Sequence, residues 1–348
     1  MTTYKSDETN IYNQAIQRTN KVKKKLAKFY QEAYERIEGQ LSTIQINKAE
    51  GIPISEFQEQ RLQRLLYQID QEIKRLRTKT ESSIKTGIYQ NFENTYYETG
   101  YILEREVNLG GAFKDLDFGV KFNYPIFPRE IIKTALIDER IGGLNFTDRM
   151  LREMRLLQYQ IRQETAQAVI SGIPVKEFQK KVAQIKDSMG QATARVQATA
   201  RTEMLRAYSI GQQEAIDYAE DGGLEGEKVW RSTLDGKTRD DHVSMDGEKA
   251  DAKGIFTLPD GSQAPYPRGE GLSAKESVNC RCRSQFRPFG IKPTVRTAII
   301  DQGEWETIPA NTTAAKWRKS LRGKAAVEEV RQERIKRAKR LAKKRAQN

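Results

Sequence analysis

Apolar residues recur at three- and four-residue steps through the first hundred positions. Ala15, Ile16, Val22, Leu26, Phe29, Ala33, Ile37 and Leu41 make one stripe, and Leu62, Leu65, Leu66, Ile69, Ile73 and Leu76 a second. Lys, Arg, Glu and Gln fill the other faces, so each stripe predicts an amphipathic helix. Gly51-Ile52-Pro53 separates the two, and Ser55 is placed to cap the second helix, which is expected to run past Tyr96 and Tyr97 toward Glu106. A long helical hairpin over residues 1–108 follows. Gly110-Gly111, Tyr124-Pro125 and Phe127-Pro128 then predict loops with short elements over 109–143.

Helical pattern returns at Thr147, runs through Met150, Met154, Leu157, Ile161 and Ala168, and stops at Gly172-Ile173-Pro174. The stretch from Gly172 to Gln179 nearly repeats that from Gly51 to Gln58. Glycine ends one helix and proline starts the next, so this reads as one turn solution used twice rather than a duplicated domain. In the next helix Val196, Ala200, Met204, Tyr208, Gly211, Ala215 and Ala219 form a row of mostly small residues. Small residues let helices approach closely, which predicts a buried central helix in a helical middle spanning 109–224. Arg201 and Glu203 sit on it at i and i+2, on different faces, so each needs its own partner, expected in the module that follows.

From Trp230 onward helical periodicity ends. Asp235-Gly236, Asp246-Gly247 and Asp260-Gly261 are hairpin-type signals, and residues 225–290 read as a small α+β module of short strands and tight turns. Residues 291–315 read as a linker and 316–348 as a basic helical tail. The predicted fold class is α+β, predominantly helical.

With 37% hydrophobic and 31% charged residues, the composition suits long solvated helices with narrow apolar stripes. No window of 18 apolar residues predicts a membrane span, and the first ten residues lack an apolar signal region, so the cytoplasm is the expected first compartment. The charge is uneven. Of the net +13, residues 316–348 carry +11, from fourteen Lys/Arg against three Glu. Lys336, Arg337, Lys339, Arg340, Lys343, Lys344 and Arg345 wrap all faces of the tail, leaving Ile335, Ala338, Leu341 and Ala342 as a thin apolar stripe. With no aromatic residues to stack on bases, non-specific contact with the phosphates of double-stranded DNA is expected, steeply dependent on salt. An acidic protein surface would fit the tail as well. Trp317 at its start is placed to anchor it to protein or lipid.

The one histidine, His242, and the two cysteines, Cys280 and Cys282, fall within 41 residues. An imidazole and two thiolates are three good zinc ligands, and cysteines at i and i+2 on a strand face the same side. A fourth ligand would be Asp235, Asp241, Asp246 or water. Such a zinc would be structural, a clip for a small module. In the alternative reading His242 bonds a backbone group and the cysteines pack as small apolar residues. Their Cα atoms, roughly 6.6 Å apart on a strand, are at the edge of disulfide reach, so reduced thiols are expected. A thiol nucleophile would need His242 oriented by Asp241 or Asp246. However, C-x-C is no nucleophile signature, no phosphate loop accompanies it, and a two-histidine metal helix is excluded. No catalytic residue and no small-molecule substrate are assigned.

Ala200-Arg201-Thr202-Glu203, Trp230, the run from Asp235 through Arg239 to His242, Asp246-Gly247 and Asn279-Cys280-Arg281-Cys282 occur in that order. In this order and spacing the series, over about residues 145–286, resembles the phage Mu F-like (SPP1 gp7-like) head morphogenesis family, minor head proteins of tailed bacteriophages. The resemblance implies a structural virion protein in few copies. It would be made in the host cytoplasm, associate with portal, capsid or scaffold proteins, and in some cases contact the genome. It also implies that Arg201, Glu203, Trp230, Asp235, Arg239, His242 and the cysteines hold the module against the helix carrying Ala200. In some relatives the positions matching Arg239 and His242 look like a C-x-x-C pair that completes a four-cysteine site; here arginine stands at one of them and cannot ligate. Similar domains occur in bacterial toxins, so a toxin-like enzyme is the first alternative. A zinc-stabilised nucleic-acid-binding protein is the second.

Overall fold

The computed structural model describes residues 4–49, 56–110, 123–138, 144–170, 175–288, 295–299, 305–309 and 311–346. Gly51-Ile52-Pro53, Ser55 and Gly172-Ile173-Pro174 lie outside them. Five helical stretches come first: α1 (Tyr4–Ala49), α2 (Glu56–Gly110), α3 (Arg129–Lys133) continued by a π-turn (Thr134–Asp138), α4 (Phe146–Ile170) and α5 (Val175–Asp221). The chain divides into two compact units. One comprises residues 17–90 and 127–204, the other residues 1–16, 91–126 and 205–348. The boundaries fall inside α1, α2 and α5 rather than at the ends of the hairpin expected over 1–108, because each of these helices buries its stripe in two successive cores.

The first unit is all helix. Leu26, Tyr30, Ala33, Ile37 and Leu41 of α1 are buried, as are Leu65, Ile69, Ile73 and Leu76 of α2 and Met150, Met154, Leu157 and Ile161 of α4. These follow the sequence stripes because only residues three and four apart share a helix face. Val196, Ala200 and Met204 complete the α5 face, also fully buried. Charge pairs bind the rims: Glu72 receives Arg36 at 2.6 Å and Arg75 at 2.8 Å, and Asp70 accepts from Gln158 at 2.8 Å and from Arg162.

The second unit joins the rest of α5 to the small module. Ile11, Tyr12 and Ala15 of α1, Ile102, Leu103 and Val107 of α2, and Tyr208, Ile216 and Ala219 of α5 form one core. Phe286 enters it from β4 (Arg283–Pro288). That strand pairs antiparallel with β1 (Gly226–Arg231), Trp230 facing Ser284 across the ladder. Between them come α6 (Asp240–Ser244), the hairpin of β2 (Phe256–Thr257) and β3 (Gln263–Ala264), and α7 (Ala274–Ser277). Of the three Asp-Gly pairs, Asp260-Gly261 alone turns this hairpin, with Gly261 at φ +82°. Asp246-Gly247 instead ends the α6 segment, and Gly247 N–H bonds Trp230 O at 2.9 Å.

Two regions depart from expectation. The stretch 291–315 holds an antiparallel hairpin, β5 (Val295–Ile299) with β6 (Trp305–Pro309), rather than a plain linker. The segment from Lys316 does not begin as a free tail: α8 (Ala314–Lys319) docks on the module. Trp317 and Ala314 pack with Leu234 and Val243, and Ala314 N–H donates to Asp246 at 2.7 Å. Trp317 therefore anchors to the protein's own core, where an indole finds apolar cover. In α9 (Leu321–Ala346) every residue from Arg331 to Arg340 is exposed. No helix among the described residues is long and apolar enough to cross a membrane.

Candidate functional site

His242, Cys280 and Cys282 converge. α6 carries the imidazole; Cys280 and Cys282 straddle the turn between α7 and β4. All three are buried, and their donor atoms lie within 4.8 Å of one another. His242 Nδ1 stands 3.2 Å from Cys282 Sγ and 3.6 Å from Cys280 Sγ. Both cysteines are free thiols. Trp230 meets the imidazole edge-on at 5.7 Å and Phe256 at 5.4 Å, closing the apolar side.

The other imidazole nitrogen is held by a residue that sequence reasoning missed. Glu276, fully buried on α7, places Oε2 2.7 Å from His242 Nε2. Its only sequence signal was proximity to Cys280, because a four-residue helix has too few turns to show periodicity. Arg268 was missed too. It adopts a left-handed φ of +69° and buries its guanidinium, donating to the carbonyls of Cys280 (3.1 Å) and Cys282 (2.7 Å) and to Ser209 Oγ of α5 (2.6 Å). This charge fixes the cysteine turn and fastens it to the long helix.

Electrostatics divide the two sulfurs. Burial alone would raise the Cys280 pKa, but hydrogen bonds from Cys282 and His242 and the charges of Arg268 and His242 bring it well below its ordinary value. Burial, with Cys280 alongside, pushes Cys282 well up. Burial works against an imidazolium, yet the Cys280 sulfur and then Glu276 hold the His242 pKa above its usual value. Two adjacent buried sulfurs ionise together only if a cation sits between them.

The donor set approaches three corners of a zinc tetrahedron. Zn–N of about 2.0 Å and Zn–S of about 2.3 Å give N···S edges of about 3.5 Å, and the two here are 3.2 and 3.6 Å within a set that spans no more than 4.8 Å. Glu276 on the far nitrogen is the outer-shell carboxylate that orients a ligating histidine. The three candidate aspartates do not complete the set, because turns and caps already use them. Asp235 accepts the Lys237 and Thr238 N–H groups at 2.9 and 3.0 Å and both arms of Arg281. Asp241 pairs with Lys275 at 2.8 Å. Asp246 caps the Ser232 N–H at 2.8 Å as well as that of Ala314.

The remaining singled-out residues divide between the two units. Trp230, Asp235 and Arg239 frame the cluster; Arg239 donates to the carbonyls of Glu276 and Val278, bracing the loop that presents Cys280. Glu203 does not reach the module. It is buried in the first unit against Arg149 of α4, and burial pushes its carboxyl up to about 7 against the pull of that guanidinium. Arg201 lies in the same unit, where burial and then the charge of Arg201 lower the pKa of Lys23. Ser209 and Gln213 are among the α5 residues that meet the module, the latter accepting from Lys228 at 3.0 Å. They lie roughly two to three turns beyond Glu203 on the same helix.

Residues 159–285, which run from within α4 through α5 and the whole cluster into β4, match the family model described as Phage Mu protein F like protein. This stretch is similar to a phage Mu F-like domain. Three proteins resemble the chain. The minor head protein GP7 of Bacillus phage SPP1 is 30% identical over 144 residues, covering 41% of this chain and 46% of that protein. The NAD(+)--arginine ADP-ribosyltransferase EFV of Enterococcus faecalis (strain ATCC 700802 / V583) is 29% identical over 223 residues, covering 63% and 41%. The uncharacterized protein YqbB of Bacillus subtilis (strain 168) is 35% identical over 91 residues, covering 25% and 29%. The chain therefore spans less than half the length of each of these relatives.

Proposed function

We propose that the protein is a minor head protein of a tailed bacteriophage, structural rather than catalytic, that acts in head assembly near the portal. The observation that carries this reading is the Mu F-like match over residues 159–285, which takes in α5 and the buried cluster together. The similarity to a protein named as a minor head protein supports it. The cluster acts here as a lock. His242, Cys280 and Cys282 would hold one structural zinc, which would supply the charge that lets both sulfurs stay ionised, while Glu276 orients the imidazole and Arg268 fixes the turn. The solvated α9 offers Lys336, Arg337, Lys339 and Arg340 to packaged DNA; Lys343, Lys344 and Arg345 lie on the same helix, their side chains outside the described residues.

Mass spectrometry of purified particles tests the reading. Wild-type chain is expected in the particle, and Cys280→Ala is expected to be absent from it. A particle without the wild-type chain, or one that takes up the variant normally, would count against it. The second reading, a toxin-like enzyme, is favoured by the resemblance to a protein named as an ADP-ribosyltransferase. It is disfavoured by the burial of all three cluster side chains, which leaves them no access to substrate. Expression in a host cell separates the two: toxicity abolished by His242→Ala would reverse the assignment. The third reading, a zinc-stabilised nucleic-acid-binding protein outside any virion, predicts DNA binding with no incorporation into particles.

A further inference from the structure

Basic charge is concentrated a second time, far from the tail in sequence. Arg18, Lys21, Lys23, Lys24, Lys25 and Lys28 crowd eleven residues of α1, and no Asp or Glu occurs between Ile11 and Gln31. Within the first unit a cleft of about 420 Å³ opens between this stretch and α2. Lys21, Lys25 and Lys79 line it, all exposed, together with the hydroxyls of Ser82, Ser83 and Thr86. Lys25 and Lys79 both stand 5.6 Å from the centre of the Phe29 ring, which draws two like charges to one spot. The nearest acidic groups on these helices are engaged elsewhere: Glu81 with Arg77 at 2.6 Å, Glu32 with Lys28 at 3.9 Å. Three ammonium groups beside hydroxyl donors, with no carboxylate among the lining residues, make a site for an oxyanion.

We infer that this cleft binds the phosphates of a nucleic-acid backbone, a contact separate from the α9 tail. The choice of nucleic acid rests on the proposed head-protein reading; the oxyanion site itself does not. Scale favours a polymer. The basic run on α1 extends about 15 Å, a length that faces roughly nine phosphate charges of a duplex. The aromatic ring is covered by its lysines, so bases find no stacking platform and the contact reads backbone rather than sequence.

The test uses the full chain and a random-sequence duplex titrated across salt concentrations. Lys21→Gln/Lys25→Gln/Lys79→Gln is expected to weaken binding at least tenfold and to lower the salt slope by about 2.7, the share of three phosphate contacts. Lys74→Gln/Lys176→Gln/Lys180→Gln removes equal charge from exposed positions of the same unit, outside both the cleft and the α1 run, and is expected to cost less than about threefold. Equal losses in the two variants, or none in the first, overturn the inference. A second arm adds inorganic tripolyphosphate and reads lysine acylation by mass spectrometry, expecting Lys25 and Lys79 to be protected ahead of Lys24 and Lys74. Uniform labelling overturns the oxyanion site. Protection by tripolyphosphate in a wild-type chain that binds no duplex overturns the nucleic-acid occupant and, with it, the DNA contact proposed for the tail.

Discussion

Arg268 shows how much one side chain carries at the cluster. Its guanidinium is buried and satisfies two carbonyls and a hydroxyl. Arg268→Ala is expected to cost about 3 kcal/mol, since it strands buried acceptors beside an altered charge balance; thermal unfolding of the purified chain measures it. Metal analysis of the same preparation is expected to find one zinc per chain, lost in Cys280→Ser, and a melting temperature lowered by a chelator. Protein without metal and indifferent to the chelator would leave the thiolate–imidazolium pair alone to explain the site. Glu203 supplies a pH dependence. A glutamate ordinarily ionises near 4.5, whereas this one ionises near 7 in the folded chain because burial outweighs Arg149. Between those values the folded state keeps a proton that the unfolded chain has released, so the group costs stability as pH rises through that window. The cost reaches on the order of 3 kcal/mol. Glu203→Gln removes the titration, so its stability relative to wild type should climb between pH 4.5 and 8. A difference that stays flat would show that Arg149 keeps the carboxylate ionised.

Among elements, α5 decides most. Its row of small residues predicted close helix approach, and Gly211 is a place where the approach is close. A methyl group there would stand 2.6 Å from the Phe92 carbonyl oxygen of α2, which is backbone and cannot swing aside. Gly211→Ala should therefore destabilise by about 2 kcal/mol. Gly190, on the same helix with nothing within 4 Å, should gain up to about 1 kcal/mol as Ala. Chemical denaturation of the pair separates packing from propensity, and equal effects would refute the close contact. The partner of Glu203 could not be found from such patterns. Spacing says which face of a helix a residue takes but not which other helix lies against it, and Arg149 is 54 positions away. The basic run on α1 was hidden for a different reason: charge summed over the body of the chain cancels against acids that the fold places on other faces.

At the scale of the whole chain, α9 is exposed at every residue from Arg331 to Arg340. Converting Lys336, Arg337, Lys339 and Arg340 to Gln should reduce the salt slope of duplex binding by about 3.6 while leaving the melting temperature unchanged, because these side chains are exposed. A drop in melting temperature would mean that α9 packs somewhere in solution.

Helix positions, the change of texture at Trp230, the polycationic end and the nearness in sequence of His242 and the two thiols were all fixed by local order along the chain. Periodicity, turn chemistry and charge are properties of neighbours in sequence. The carboxylate that took the far side of the imidazole, the arginine that pinned the cysteine turn, the docking of Trp317 and the lysines facing each other across α1 and α2 were decided only by folding. Each joins residues from separate elements, and such pairings follow from which surfaces exclude water together, a quantity that no stretch of sequence contains by itself.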